Sequence, residues 1–184
     1  MEKEKKYNSK LWEDLKEFIK ALIIPVCVSW FVMSFLLINI IVPSGSMEPK
    51  IMTGSRIIGN RLTYKFGDPQ RGDIAIFKYP DNESIYFIKR IVGMPGDTIE
   101  IIPDSDGKSS SLYINGEKAE EADTVQEMEN QGYFKYEVPE DSYFMMGDNR
   151  NNSLDARYWE TKYVKRDKIL AKAEFQYWKG FRKL

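Results

Sequence analysis

Two serines framed by rigid turn residues, in Pro43-Ser44-Gly45-Ser46-Met47-Glu48-Pro49, are the first groups in this chain that can do covalent chemistry. A serine hydroxyl is a weak nucleophile until a neighbouring base takes its proton. The chain contains no histidine, so the usual base for a serine is missing and lysine is the main candidate. In an extended turn Ser44 and Ser46 point to the same side, so one hydroxyl can attack while the other donates a hydrogen bond to a developing oxyanion. Read by itself, the segment is also an ordinary loop marked by Pro and Gly.

A base candidate emerges from strand periodicity. Over Ile85 to Val92, alternation puts Ile85, Phe87, Lys89 and Ile91 on one face and Tyr86, Ile88, Arg90 and Val92 on the other. Burial among apolar neighbours disfavours an ammonium, and lowering its pKa from about 10.4 toward about 8 or 7 costs roughly 3 to 5 kcal/mol. A lysine so placed can act as a general base, or its ammonium can instead snorkel to water or pair with an acid. Arg90 cannot take the role, because a guanidinium stays protonated.

The elements that must position these groups begin with an uncharged stretch from Ala21 to Met47. Its first part, Ala21 to Val42, would span about 33 Å as a helix, against a hydrocarbon core of about 30 Å. The run ends in Ile40-Ile41-Val42-Pro43 with no Ala-x-Ala, which separates it from a cleavable signal peptide and predicts a transmembrane anchor. Ser29, Ser34 and Asn39 are polar intrusions that also suit a buried core helix or an uncleaved signal. Lys3, Lys5, Lys6, Lys10, Lys16 and Lys20 precede the run, and only Lys50, Arg56 and Arg61 follow within twenty residues. The positive-inside bias therefore puts the N-terminus in the cytoplasm and the rest outside. The expected division is a cytoplasmic segment 1–20, a transmembrane helix 21–42 and an extracytoplasmic catalytic domain 43–184.

A length of 184 residues suits one domain plus an anchor. With 27 basic against 28 acidic residues the chain has no electrostatic footprint for nucleic acid. Cys27 is the only cysteine, so there is no intramolecular disulfide and no cysteine-rich metal site. Beyond the anchor, Ile74 to Tyr79, Ile85 to Val92, Thr98 to Ile102, Leu112 to Ile114, Tyr143 to Met146 and Ile169 to Trp178 read as strands. Pro80-Asp81-Asn82-Glu83, Met94-Pro95-Gly96-Asp97, Asp104-Ser105-Asp106-Gly107 and Asn115-Gly116 supply the reversals between them. The sum is a mainly β fold: one N-terminal transmembrane helix followed by an all-β domain. Residues 117 to 132 are the least strand-like piece and read as a loop or short helix. Arg71-Gly72-Asp73 leads straight into an apolar strand, so it turns the chain rather than serving adhesion, with Arg71 or Asp73 expected to pair with Asp155 and Arg157.

Four blocks carry a resemblance. They are the serine turn, Arg71-Gly72-Asp73-Ile74-Ala75-Ile76-Phe77, Phe87-Ile88-Lys89-Arg90-Ile91-Val92-Gly93-Met94-Pro95-Gly96-Asp97, and Gly147-Asp148-Asn149-Arg150-Asn151-Asn152-Ser153-Leu154-Asp155-Ala156-Arg157. In this order behind one anchor, they resemble the bacterial type I signal peptidases. The resemblance implies a signal-peptidase-like catalytic domain in which Ser46 is the nucleophile and Lys89 the neutral amine that takes its proton. It makes Ser44, with the amide of Ser46, the oxyanion hole, and Ser153 the group that hydrogen-bonds and orients the lysine. Asp155 and Arg157, with Asp148 and Arg150, are implied to hold the site together. No metal or organic cofactor is implied. The expected partners are signal peptides of exported preproteins with small residues near the cut, the lipid bilayer of a bacterial cell membrane, and the secretion translocon.

The chain departs from the family's usual pattern at Lys50-Ile51 and Gly54-Ser55, where Thr-Leu and Gly-Asp are common. Only Pro103 to Asp141 leaves room for an insertion. Ile40, Ile41, Ile74, Ile76 and Phe87 are candidates for the walls of a substrate site, although core packing suits each of them too. A cytosolic self-cleaving Ser-Lys repressor is disfavoured, because the chain has neither Ala-Gly nor Cys-Gly. The non-enzyme alternative is a signal-peptidase-like assembly factor for surface polymers such as pili.

Overall fold

The computed structural model describes residues 2–120, 122 and 124–184. These fall into two compact units, one ending at Leu37 and the other comprising Ile38–Leu184. In the first, helix α1 (Glu2–Phe31) passes into a π-helical turn, Val32–Leu36. Within it Trp12–Leu36, 25 residues, is long and apolar enough to cross a membrane.

Strand β1 begins at Leu37 and runs to Ile41, so the apolar run expected to stay helical to Val42 changes structure inside itself. Leu37 is already extended, at φ −118° and ψ 159°. Three of the five residues in Leu-Ile-Asn-Ile-Ile are β-branched, which favours a pleated surface once a partner strand is available. That partner is β2 (Arg56–Asn60).

After a short helix α2 (Leu62–Phe66), the chain lays down β3 (Ile74–Tyr79) and β4 (Asn82–Gly93) as a hairpin. Strands β5 (Thr98–Pro103), β6 (Ser109–Ile114), β7 (Glu117–Lys118), β8 (Met128–Glu129) and β9 (Phe134–Glu137) follow. The chain closes with β10 (Ser142–Met146), β11 (Val164–Lys165), β12 (Ile169–Trp178) and β13 (Arg182–Lys183). The large sheet has the order β1-β2-β12-β3-β4-β10-β11, with β13 added to β12. The smaller sheet, β7-β6-β5-β9 with β8 beside β6, uses most of the stretch where the sequence left room for an insertion.

All six expected strands form, several of them longer than expected. The Asn115-Gly116 turn has both residues at positive φ, 54° and 84°, as a two-residue hairpin connection requires. The 117–132 region carries two short strands joined by loop, with positions 121 and 123 outside the described residues. Arg71 and Asp73 do not reach Asp155 or Arg157. Arg71 pairs with Asp97 at 2.9 Å and donates to the Val92 carbonyl at 2.6 Å. Asp73 accepts from Lys172 at 2.6 Å and from the Tyr64 hydroxyl at 3.0 Å.

Two apolar clusters form the core. One is built on Phe77, Ile91, Phe144 and Trp159. The other, on Ile38, Val42, Met47, Ile51, Ile57 and Ile76, lies beneath the serine turn.

Candidate active site

Lys89 sits on β4 opposite Ala75 of β3 and is 4% exposed. Its apolar neighbours on the same face are fully buried Ile91 and half-buried Phe87, whose ring centroid is 5.2 Å from Nζ. Ile85, expected in the same stripe, is 45% exposed, because the tip of the β3–β4 hairpin leaves the core.

The serine turn is the tip of a closed loop. At its base Val42 donates to the Ser55 carbonyl at 2.9 Å and Gly54 donates back to the Val42 carbonyl at 2.7 Å. Val42, Met47 and Ile51 plug the loop into the core, each almost wholly buried. Glu48 accepts from the Thr53 amide at 3.0 Å and its hydroxyl at 2.8 Å, and these bonds hold its carboxyl below the ordinary range. Ser46 is thereby presented with a buried hydroxyl. Lys89 Nζ lies 2.5 Å from Ser46 Oγ, and the Ser44 hydroxyl donates to the same oxygen at 3.4 Å.

The loop from Gly147 to Arg157 backs this pair. Asn149 donates its side-chain amide to the Gly45 carbonyl at 3.0 Å and its backbone amide to the Ser46 carbonyl at 3.1 Å. Gly147 must be glycine. A β-carbon there would meet Ser153 Oγ at 2.2 Å and the Ser46 carbonyl oxygen at 2.4 Å. Asp148 is gripped by Arg90, at 2.7 and 2.5 Å, and Asp155 by Arg157, at 2.8 Å to each oxygen. Asp155 also accepts the Gly147 amide at 3.0 Å, and buried Arg150 donates to the Gly147 carbonyl at 3.0 Å. Of the residues singled out as site support, Asp155 and Asp148 act on the Lys89 charge, while Arg157 holds Asp155 and Arg150 holds the Gly147 carbonyl. Ser153 differs in detail: it is buried beside Ser46, but among the described residues its hydroxyl has no hydrogen-bond partner, so the expected bond to Lys89 is not made.

Burial pushes the Lys89 amine down from 10.5 to about 8, while the carboxylates of Asp155 and Asp148 hold it up against that pull. At neutral to mildly alkaline pH an appreciable fraction is the free amine, which can accept the Ser46 proton across 2.5 Å.

Sequence reasoning left Asn149, Gly147 and Arg90 without roles at the site. All three lie inside the quoted motifs, but their tasks are long-range contacts that spacing does not reveal.

Ser46 and Lys89 both line a cleft of about 780 Å³. Its walls are the end of β1 with Val42 and Pro43, the outer half of β4, and Asn152 and Leu154. Of the apolar wall candidates, Ile40, Ile41 and Phe87 line it, while Ile74 and Ile76 are buried in the core. Among the described residues no group of three or more His, Cys, Asp or Glu could hold a metal ion.

A buried serine in contact with a buried, partly neutral amine on a cleft floor has the parts of a serine hydrolase that uses lysine as its base. Residues 15–178 match the family model described as signal peptidase, peptidase S26, and the chain belongs to that family. Signal peptidase I of Aquifex aeolicus is 32% identical, over 90% of this chain and 84% of its own length. That of Bacillus licheniformis is 35% identical over 85% and 84%. The Pseudomonas aeruginosa relative is 34% identical over 73% of this chain and 59% of its own length.

Proposed function

We propose that this chain is a membrane-anchored serine endopeptidase that removes signal peptides from exported preproteins, with Ser46 as nucleophile and Lys89 as its base. The observation that carries this reading is the 2.5 Å contact between two buried groups, Ser46 Oγ and Lys89 Nζ, on the floor of an open cleft. As Oγ bonds to the scissile carbonyl carbon, the neutral amine takes its proton. The carbonyl oxygen becomes an oxyanion held by the Ser44 hydroxyl, which turns from Ser46 Oγ to the new charge, and by the Ser46 amide. Lys89, now an ammonium, gives its proton to the leaving amine as the peptide bond breaks. Water then attacks the acyl-enzyme ester as Lys89 accepts its proton, the bond from the acyl carbon to Oγ breaks, Lys89 returns the proton to Ser46 Oγ, and the signal peptide leaves with a free carboxylate.

In this reading α1 is the anchor in the cell membrane, with the lysine-rich N-terminal flank cytoplasmic and the catalytic unit outside. The bilayer and the secretion translocon bring preproteins within reach. A role limited to assembling surface polymers draws no support from a geometry that keeps both reacting groups in contact.

The test is cleavage of a preprotein by the detergent-solubilised chain beside its Ser46→Ala and Lys89→Ala variants, with folding checked by circular dichroism. Each substitution should lower kcat by at least about a thousandfold. Full activity in either folded variant would falsify the pairing.

A further inference from the structure

The nucleophile loop is held on three sides, and two of these belong to the site already described: apolar plugs from below and Asn149 from the Gly147–Arg157 loop. The third hold comes from the C-terminal end. After β12 the chain reverses through Lys179 and Gly180 and returns as β13, with Gln176 opposite Arg182. Lys179 Nζ donates to the Thr53 carbonyl at 2.7 Å, and Arg182 Nη2 donates to the Lys50 carbonyl. Thr53 is in turn bonded through its amide and hydroxyl to Glu48, two residues beyond Ser46.

Two features distinguish this contact from a casual surface one. Gln176 is fully buried, yet its amide group serves the reversal alone: it donates to the Lys179 carbonyl at 2.7 Å and accepts from Arg182 at 3.3 Å. Lys179 itself sits at φ +59°, where a side chain is crowded and Gly or Asn is easier to accommodate. A lysine in that conformation is poorly suited to the backbone and well suited to reaching Thr53.

We infer that residues 179–183 form a strap that positions the nucleophile turn, with Lys179 and Arg182 as positioning residues for the reaction proposed at Ser46. The inference rests on that reading of Ser46. Neither strap residue lines the cleft, so the strap acts on where Oγ stands and not on how substrate is held. Its loss should therefore appear in kcat and leave KM alone.

Lys179→Gly is the informative variant, because it removes the ammonium while relieving the backbone, so the fold should not be weakened. We expect kcat to fall about fivefold in Lys179→Gly and about tenfold in the Lys179→Gly/Arg182→Met pair, since a 1 Å misplacement can cost on the order of a hundredfold. KM and the midpoint of the pH–rate curve should stay at wild-type values in both variants, and the thermal midpoint should stay so in Lys179→Gly, whereas Arg182→Met takes the donor from the buried Gln176 oxygen and lowers it in the pair. Amide hydrogen exchange, read on the full chain in detergent, should quicken in residues 46–54 and nowhere else outside the strap. Wild-type kcat in the double variant, or a kcat loss in Lys179→Gly that tracks a lowered thermal midpoint, overturns the inference, as does unchanged exchange in the loop. If the wild-type chain fails to cleave, the reading of Ser46 is what falls, and the exchange rates still decide whether the strap holds the turn.

Discussion

The two loops that meet at the site, 42–55 and 147–157, are fixed by opposite kinds of force. The first is held by apolar side chains: Val42, Met47 and Ile51 are sunk in the core, and the charged residues between them stay nearer the surface. The second buries four charged groups, Asp148, Arg150, Asp155 and Arg157. Apolar plugs set a position without setting a field, which is what the proposed nucleophile needs. Buried carboxylates near an amine set a field, and here Asp155 and Asp148 keep Lys89 from losing its proton as readily as burial alone would make it. The plugs thus help fix where Ser46 stands, while the carboxylates of the other loop temper what burial does to the Lys89 amine.

The sharpest way to break this contrast is Asp155→Ala. It strands the guanidinium of Arg157, whose side chain is 3% exposed, and removes the acceptor of the Gly147 amide. Urea unfolding should show a loss of about 3 to 5 kcal/mol. Any folded fraction should have its pH–rate midpoint shifted downward, because a carboxylate that favoured the Lys89 ammonium is gone. A loss below about 1 kcal/mol would mean that the loop does not depend on its ion pair.

In the other loop, Met47→Ala should cost about 3 kcal/mol, whereas Met47→Leu should cost less than about 1.5 kcal/mol, as expected of a plug that needs volume and not chemistry. Neither substitution should move the pH–rate midpoint. A shift with Met47→Leu would show that the two loops do not divide the work.

The smallest effect concerns Lys89 itself. Its amine titrates near 8 in the folded chain against 10.5 as a free side chain, so below about 8 both states are protonated and the cost of burying an ammonium is fully present. Between about 8 and 10.5 the folded chain gives up its proton first and that cost fades. Lys89→Met should therefore be more stable than wild type at pH 7 by about 2 kcal/mol, after allowing about 1 kcal/mol for the lost bond to Ser46. The gap should narrow as pH rises through that window, while wild-type cleavage rises through about pH 8. A constant gap would mean that the buried amine does not titrate there.

Much of this arrangement was legible in the residues. Alternation over Ile85 to Val92 placed Lys89 inward, and turn chemistry at Asn115-Gly116 located a hairpin. What escaped was decided by partners distant in sequence. Leu37–Ile41 is as apolar as the helix before it, and only pairing with β2 makes it a strand. Ile85 fits the buried stripe by period but lies where the hairpin has outrun its cover. Asp73 and Arg71 found Lys172 and Asp97 instead of the Asp155 block, a choice that no local pattern encodes. Ser153 was expected to bond Lys89, but it packs against Gly147 beside the Ser46 carbonyl without that bond.

The packing at Gly147 also closes one side of the Ser46 backbone. A single β-carbon there would come within 2.4 Å of the Ser46 carbonyl oxygen, so the backbone of Gly147 is packed directly against that carbonyl. In the proposed reaction, the water that frees an acylated Ser46 comes from the open cleft that Ser46 lines, through the space the departing chain has just left. Release of the first product then sets the earliest moment at which the second step can begin.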